Sequence, residues 1–353
     1  MSFIISGIQQ VGVGIPDVYA AWAWYRKYFG MDIPVFQEEA EAPLMTIYTG
    51  GEVQARNAVM ALNLGGGAGM EIWQYTSRNT DPPTFDIQLG DYGIFSTRIK
   101  SRNVQEAYDW FTSENLDVLC PPQKTPSGGT HFFLKDPYGL IYEIVEGSGW
   151  FSRPSHVTGG PSGCMIGVSD VEKARTLYSD VLGYDEVVYD ESGTFEDLAC
   201  LGADDATRFR RVLLRHSKPR MGGFSKLLGP SELELIKVYD RIPNKIFQDR
   251  FWGDLGFIHL CFDVRNMNAL EKACKEKGFP FTVDSMNTFD MGEASGRFSY
   301  IEDPDGTLIE FVEAHKMPIM KKWGWYLNLK KRPDEKPLPS WMLKALKFSR
   351  VKD

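Results

Sequence analysis

Four glutamates stand at matching places in four apolar strands of this chain, and one histidine shares their setting. Glu71 lies in Gly69-Met70-Glu71-Ile72-Trp73 and Glu234 in Glu232-Leu233-Glu234-Leu235-Ile236. Glu143 and Glu310 each close a longer match, Phe132-Phe133-Leu134-Lys135-Asp136-Pro137-Tyr138-Gly139-Leu140-Ile141-Tyr142-Glu143 and Ser299-Tyr300-Ile301-Glu302-Asp303-Pro304-Asp305-Gly306-Thr307-Leu308-Ile309-Glu310. Successive side chains of a strand point to opposite faces. Leu260, Phe262 and Val264 therefore share one face, and His259 and Cys261 take the other. By the same rule Glu71 lies with Trp73 and Tyr75, and Glu310 with Val312. Carboxylates and an imidazole gathered on an inner face are groups that can hold a divalent cation or carry a proton.

The elements that must position these residues repeat along the chain. Residues 8–18 read as a short alternating strand, and Trp22, Tyr25, Tyr28 and Phe29 follow at helical spacing with Gly30 as a stop. Residues 163–184 follow the same plan, with Ala174, Leu177, Tyr178 and Val181 in a helix closed by Gly183. Strands at 94–104 and 259–267 lead into helices ending near Leu116 and Gly278. Each is followed by an Asp-Pro-x-Gly hairpin, in which proline fixes one turn angle and glycine takes the positive one. Glu143 and Glu310 are 167 apart (310 − 143), and Ile94 and His259 are 165 apart (259 − 94), so the halves are near-copies. Four strand–helix–strand–strand–strand units start near residues 8, 92, 162 and 257. The expected division is 1–150, 151–315 and a tail at 316–353, with the Gly/Ser/Pro-rich stretch 147–160 joining the halves.

This order of elements, with its closing Asp-Pro-x-Gly-x-x-x-Glu hairpin, resembles the vicinal oxygen chelate superfamily of glyoxalases, bleomycin-resistance proteins and extradiol dioxygenases. The resemblance covers about residues 8–315. It implies an α+β fold of four βαβββ modules forming two cup-shaped half-barrel sheets, with metal ligands on the first and closing strand of each module. Those positions are Gln10 and Glu71, Ile94 and Glu143, Gly163 and Glu234, and His259 and Glu310. Pairing of neighbouring modules leaves two incomplete sets. Interleaved pairing puts Gln10, Glu71, His259 and Glu310 into one cup, the set that glyoxalase I-type enzymes use, and leaves a degenerate cup with Ile94, Glu143, Gly163 and Glu234. Gly12 and Gly14 leave room beside Gln10.

The complete set suits one divalent ion, Zn, Ni, Co or Mn. By resemblance Glu310 is the catalytic base and Glu71 its partner on the opposite face, in a lyase, isomerase or epimerase that takes a proton next to a carbonyl. Trp73, Tyr75 and Cys261 are candidates for the substrate pocket. Glyoxalase I grips glutathione through basic residues flanking the ligands. Here Gly14 and Leu255 hold those positions and Tyr75 a third, so the expected small-molecule substrate carries no glutathione. A ring-cleaving dioxygenase is the rival and needs Fe with two histidines, where this chain has Gly163. A metal-free binding protein is the third reading. His131, His156, His216 and His315 fall off the ligand positions and read as ordinary polar residues. Gly65–Gly69 precedes a strand and lacks a following Lys-Ser/Thr, so it reads as a turn rather than a phosphate loop.

The whole chain bounds the rest. Its net charge of −8 argues against general nucleic-acid binding. Residues 316–353 carry eleven Lys/Arg and three Asp/Glu, a local +8, which leaves −16 for residues 1–315 (−8 − 8). This basic tail is expected to dock on the body, burying Trp323, Trp325, Tyr326, Trp341, Leu343 and Leu346. Five scattered cysteines fit reduced thiols better than a disulfide frame. With no signal-like start and no membrane-length apolar run, the expectation is a cytoplasmic protein, a monomer or homodimer, with neither membrane nor nucleic acid as partner.

Overall fold

Each repeated unit folds as a strand, a helix and a set of closing strands in the computed structural model, which describes residues 2–153, 156–203, 206–286, 289–290, 295–320, 325–330 and 332–352. The first contains β1 (Ile4–Gly14), α1 (Val18–Phe29), β2 (Ile33–Glu41), β3 (Ala55–Leu62) and β4 (Gly69–Tyr75). The second contains β5 (Gly93–Ser101), α2 (Val104–Ser113), a split strand β6 (Asp117–Val118) and β7 (Gln123–Lys124), β8 (Thr130–Lys135) and β9 (Ile141–Glu146). The third contains β10 (Thr158–Gly167), α3 (Val171–Tyr178), β11 (Glu186–Gly193), β12 (Phe209–Arg215), the short α4 (Ser225–Leu228) and β13 (Glu232–Val238). The fourth contains β14 (Gly256–Arg265), α5 (Met267–Glu276), β15 (Val283–Asp284), β16 (Phe289–Asp290), β17 (Ser295–Glu302) and β18 (Leu308–Met320). The tail adds β19 (Trp325–Asn328) and α6 (Ser340–Lys344).

Caps set the helix limits. The Asp17 carboxylate accepts from the Tyr19 and Ala20 amides at the start of α1, and Gly30 closes it at φ +64°. Helix α3 is shorter than its apolar spacing predicts. It ends at Tyr178, and the amides of Val181 and Leu182 both turn back onto the Leu177 carbonyl before Gly183. Val181 is still buried, so the spacing reported burial correctly and helix length too generously.

Two curled sheets result, and they interleave the halves of the chain. One runs β15-β17-β18-β14-β1-β4-β3-β2, with β16 on β17 and β19 on β18, and so unites the first and fourth modules. The other runs β11-β12-β13-β10-β5-β9-β8-β6, with β7 on β8, and unites the second and third. In every module the first strand lies parallel to the closing strand, and the two first strands of each sheet meet antiparallel at its centre. Val11, Val13, Ile15, Leu260, Phe262 and Val264 pack with helix residues such as Tyr25 and Phe29, and with Cys164, Ile166 and Leu235 of the other sheet, in one continuous core.

Neighbouring modules are joined differently. The Asp136 carboxylate accepts from the Tyr138 and Leu140 amides and shapes its hairpin, while Tyr25 of α1 donates to its other oxygen at 2.6 Å. Asp303 accepts from Asp305 and Thr307 and receives Tyr178 of α3 at 2.9 Å. Helix-to-hairpin contacts thus bind sequence neighbours, and strand pairing binds the halves.

The tail packs on the body through Leu343 and Leu346, as expected, joined by Leu338 and Met342. Leu338, Met342, Leu343 and Leu346 are buried against Ile33, Met60, Leu62 and Leu64. Trp341, expected to bury, is 60% exposed. Its neighbours Met342 and Leu343 occupy the inward side of the short helix, which leaves Trp341 outside. Trp323 lies outside the described residues. Among the described residues no helix is long and apolar enough to cross a membrane.

Candidate functional site

The register of the first sheet brings four polar side chains to the middle of its inner face. Gly12 lies beside Glu71 across β1 and β4, and Cys261 beside Glu310 across β14 and β18. Gln10 and His259 each stand two residues earlier on their strands, on the same face. Gln10 Nε2 lies 3.2 Å from Glu71 Oε2 and 3.4 Å from Glu310 Oε2. His259 Nε2 lies 3.2 and 3.1 Å from the same two oxygens. Among the described residues, Glu71, His259 and Glu310 each present one ligand atom within 4.8 Å of the others.

Close approach here depends on Gly12. A Cβ at that position would stand 2.5 Å from His259 Cε1 and 2.7 Å from its Nε2. The space at Gly12, expected to be left for a ligand, is taken by the imidazole of His259.

These groups fit a cation on three observations. His259 Nε2 is buried beside two carboxylates without an aligned hydrogen bond to either, and Gln10 Oε1 is buried with no partner. No arginine or lysine among the described residues forms an ion pair with Glu71 or Glu310; Arg56, the nearest contributor, is paired with Glu38 at 3.1 Å. Two buried carboxylates without a fixed cation are costly. The protein's own remedy is to charge the imidazole. Burial pushes His259 down, but Glu310 and Glu71 outweigh it and raise it to about 10. Burial likewise raises Glu71, but His259 beside it outweighs that and holds the carboxyl below its ordinary value. Carboxylate oxygens, an amide oxygen and an imidazole form a mixed donor set suited to a borderline divalent ion.

Tyr300 completes the surroundings. Its hydroxyl lies 3.4 Å from His259 Nδ1, the ring atom that faces away from the carboxylates. Nothing in the repeat marked this residue, although it stands opposite Glu310 in the register of β17 and β18. Burial, and after it Glu310 and Glu71, push the Cys261 thiol well up.

The three residues expected to line a substrate pocket have almost no surface to offer one. Trp73 is 1% exposed, Tyr75 3% and Cys261 0%. Trp73 packs against Tyr75 and Trp252 with ring centroids 4.6 Å apart in both cases, and the Tyr75 hydroxyl donates to the Trp252 carbonyl. Their inward alternation is as expected, but the β13–β14 connection carrying Trp252 packs over them.

The second sheet repeats the same framework with different contents. Arg98 lies beside Glu143 across β5 and β9, and Met165 beside Glu234 across β10 and β13. Counting two residues back gives Ser96 and Gly163 as the positions equivalent to Gln10 and His259. Ser96 therefore replaces Ile94, which packs in the core. The near-constant offset between repeats pointed to Ile94 because the first-strand position lies 47 residues before its glutamate in the second module (143 − 96) and 51 in the fourth (310 − 259).

This cup is filled by a buried charge network. Arg98 Nε lies 3.0 Å from Glu143 Oε2, and His131 Nδ1 lies 2.7 Å from Glu143 Oε1. Arg211 donates to Glu234 at 2.6 Å and to Asp197, in the 3-10 turn Glu196–Leu201, at 2.7 Å. Tyr189 donates to Glu234 at 2.7 Å, and His131 Nε2 stands 3.3 Å from Asp197. Burial lowers His131, yet Asp197 and Glu143 raise it to about 9, so it is a cation at neutral pH. The ordinary polar role expected for His131 is thus corrected: it is fully buried and bridges two carboxylates. Glu143 and Glu234 are held by partners, as expected of remnant carboxylates. The signal available for the rest was a basic residue inside an apolar strand, at Arg98, His131 and Arg211.

A sequence model of the Glyoxalase/Bleomycin resistance protein/Dioxygenase superfamily matches residues 7–144 and 155–311. Among solved structures, glyoxalase I from Zea mays is 14% identical with a TM-score of 0.53, covering 87% of this chain and 92% of that one. A Bacillus subtilis protein assigned as a dioxygenase is 14% identical with a TM-score of 0.56, covering 99% and 97%. At such identities the likeness is one of fold. No curated protein sequence matches the chain.

Proposed function

The chain belongs to the Glyoxalase/Bleomycin resistance protein/Dioxygenase superfamily, and we propose that its first cup holds one divalent metal ion through Gln10, Glu71, His259 and Glu310 for proton abstraction next to a carbonyl. The observation that carries this reading is the convergence of the buried Glu310 and the mostly buried Glu71 on one imidazole nitrogen, at 3.1 and 3.2 Å, with no arginine or lysine paired to either among the described residues. Zn, Ni, Co or Mn suits the donor set. Bound there, the ion supplies Lewis acidity that makes a C–H beside a chelated carbonyl acidic.

The chain's own residues divide the remaining work. Glu310 takes the proton, and Glu71, on the facing strand, serves as its counterpart for returning one to the opposite side of a substrate carbon. His259 and Gln10 hold position, with Tyr300 behind the imidazole. Lyase, isomerase or epimerase chemistry on a small substrate follows from that arrangement. Gly14 and Leu255 stand where a glutathione clamp would place basic residues, which supports a substrate without glutathione. Ring-cleaving dioxygenation at iron requires two imidazoles and a carboxylate. One histidine in the four-residue set weighs against it.

Elemental analysis of the purified protein tests the proposal, with H259A and E143A beside it. The expected result is about one metal ion per chain, lost in H259A and kept in E143A. If the wild-type chain takes up none of the four metals on loading, the lyase proposal fails and a metal-free binding cup is the better account. With metal bound, solvent deuterium exchange into α-hydroxycarbonyl candidates should depend on Glu310.

A further inference from the structure

We propose that residues 339–349 form a hinged cover over one end of the first cup, which lifts to admit the substrate. The inference rests on the reading of that cup as the reactive one. Gln10, His259 and Glu310 are buried, and so are the Trp73 and Tyr75 rings on the same face. Access to them needs a moving part, and two segments cover the inner face.

The strand register shows where the end of the chain sits. Met60 stands opposite Glu71, and Leu62 lies two residues beyond it, so both side chains point into the cup. Ile33 pairs with Leu62 and shares that face. Met342, Leu343 and Leu346, from α6 and the 3-10 turn Ala345–Ser349, are buried against these three residues. The cover thus lies on the inner face, next to the strand that carries Glu71.

The two covering segments are held in different ways. The β13–β14 connection is tied along its length. Its Ile246, Trp252 and Leu255 amides donate to the Tyr92, Tyr48 and Asp81 carbonyls. Arg241 pairs with Asp91 at 2.6 Å, and Asp254 with Arg78 at 2.8 Å. The end of the chain is clamped at two points instead. The Leu338 amide donates to the Gly223 carbonyl at 2.9 Å, and the Val351 amide to the Asp32 carbonyl at 2.9 Å. Arg350 pairs with the Asp32 carboxylate at 3.1 Å. Between these clamps, residues 339–349 make no backbone hydrogen bond to the body among the described residues. Their hold is the packing of Met342, Leu343 and Leu346. A stretch tied so lightly opens at low free energy while the rest stays folded, and the clamps at either end serve as hinges.

The test follows Cys261, a buried thiol that lies beside Glu310 on the inner face. The full, reduced, metal-free chain is treated with methyl methanethiosulfonate, and peptide mapping gives the rate at each cysteine. Cys164 and Cys274, buried in the main core, report global unfolding in the same sample. L343A removes a fully buried side chain of the cover and should speed Cys261 about 30-fold or more, with Cys164 and Cys274 unchanged. L346A should act in the same direction, and F348A, at a residue 71% exposed, should leave the rate at the wild-type value. In the metal-loaded chain, extraction by dipicolinate should accelerate in L343A as well. An unchanged Cys261 rate in both leucine variants, or equal acceleration of all three cysteines, would overturn the proposal. Because the labelling needs no metal, a chain that takes up none would sink the metal reading and leave this result standing.

Discussion

The two cups share one strand plan and answer the same electrostatic problem in opposite ways. Both bury a pair of glutamates at the centre of the sheet. Beside the glutamates the first cup has Gly12 and Cys261, and the second has Arg98 and Met165. Two residues before the partners of those glutamates on the adjacent strand, the first cup has Ala58 and Phe298, and the second His131 and Arg211. The second cup thus carries Arg98, Arg211 and His131 against Glu143, Glu234 and Asp197, three charges of each sign. The first has only His259 against Glu71 and Glu310. A cup that carries its own cations needs none from outside, and the shortfall in the first is what the proposed metal ion would make up.

The largest expected effect breaks the self-neutralised cup. Arg211 is fully buried and bonds both Glu234 and Asp197. R211M keeps its bulk and leaves two carboxylates without their guanidinium. Removing one partner of a buried ion pair costs about 3–5 kcal/mol. Chemical denaturation should show a loss of that size, while metal content per chain stays at the wild-type level. A loss of metal with full stability would mean that the two cups have been assigned the wrong roles.

The converse change attacks the first cup. In G12A the new methyl meets the His259 ring, so the imidazole must move. We expect metal affinity to fall about 100-fold or more, since ligand placement tolerates little error, with the metal-free protein losing about 1–3 kcal/mol to overpacking. Competition with a chelator measures the first quantity. Unaltered affinity would show that His259 does not depend on the space at Gly12.

The second cup should also impose a pH dependence that a metal-filled cup would not. His131 titrates at about 9 in the folded chain, among Glu143, Asp197, Arg98 and Arg211, against about 6.5 unfolded. Its stabilisation is complete below pH 6.5, declines as pH rises through 9 and is absent above it. Melting temperatures from pH 6 to 10 should fall more steeply for the wild-type chain than for H131Q, by several degrees across that window. Parallel curves would place the stabilising charge elsewhere.

How much of this was legible in sequence differs between the cups. Alternation put Gln10, Glu71 and His259 on inner faces, and the resemblance to the vicinal oxygen chelate superfamily marked them, with Glu310, as the ligand positions. The interleaving was legible through the same positions, since it alone completes a four-residue set. The second cup was read only as a site with missing ligands. Its content lies in Arg98, His131 and Arg211, which stand two residues from the repeat positions and match no motif. Burial and partner choice there depend on sheet curvature, which brings β8 and β12 together with the Asp197 turn. Trp252 was missed for a related reason: it lies on a connection, where no periodicity reports packing, and it covers the Trp73 and Tyr75 rings expected to face a substrate.

The smallest expected effect concerns the one polar residue among four equivalent positions. Met60, Phe133, Leu213 and Tyr300 stand opposite Glu71, Glu143, Glu234 and Glu310 in their ladders. Only Tyr300 carries a hydroxyl, and it reaches His259 Nδ1 at a long 3.4 Å. Phe133 shows that this place in the fold accepts phenylalanine, so Y300F should fold with wild-type stability within about 1 kcal/mol. A partner to the far nitrogen of a ligating imidazole fixes its orientation and is worth about 10–100-fold in metal affinity. At this length the lower end applies, about ten-fold, read by chelator competition. An effect confined to stability would make Tyr300 a packing residue like Phe133. A ten-fold loss of affinity at unchanged stability would make the hydroxyl part of what separates the first cup from the second.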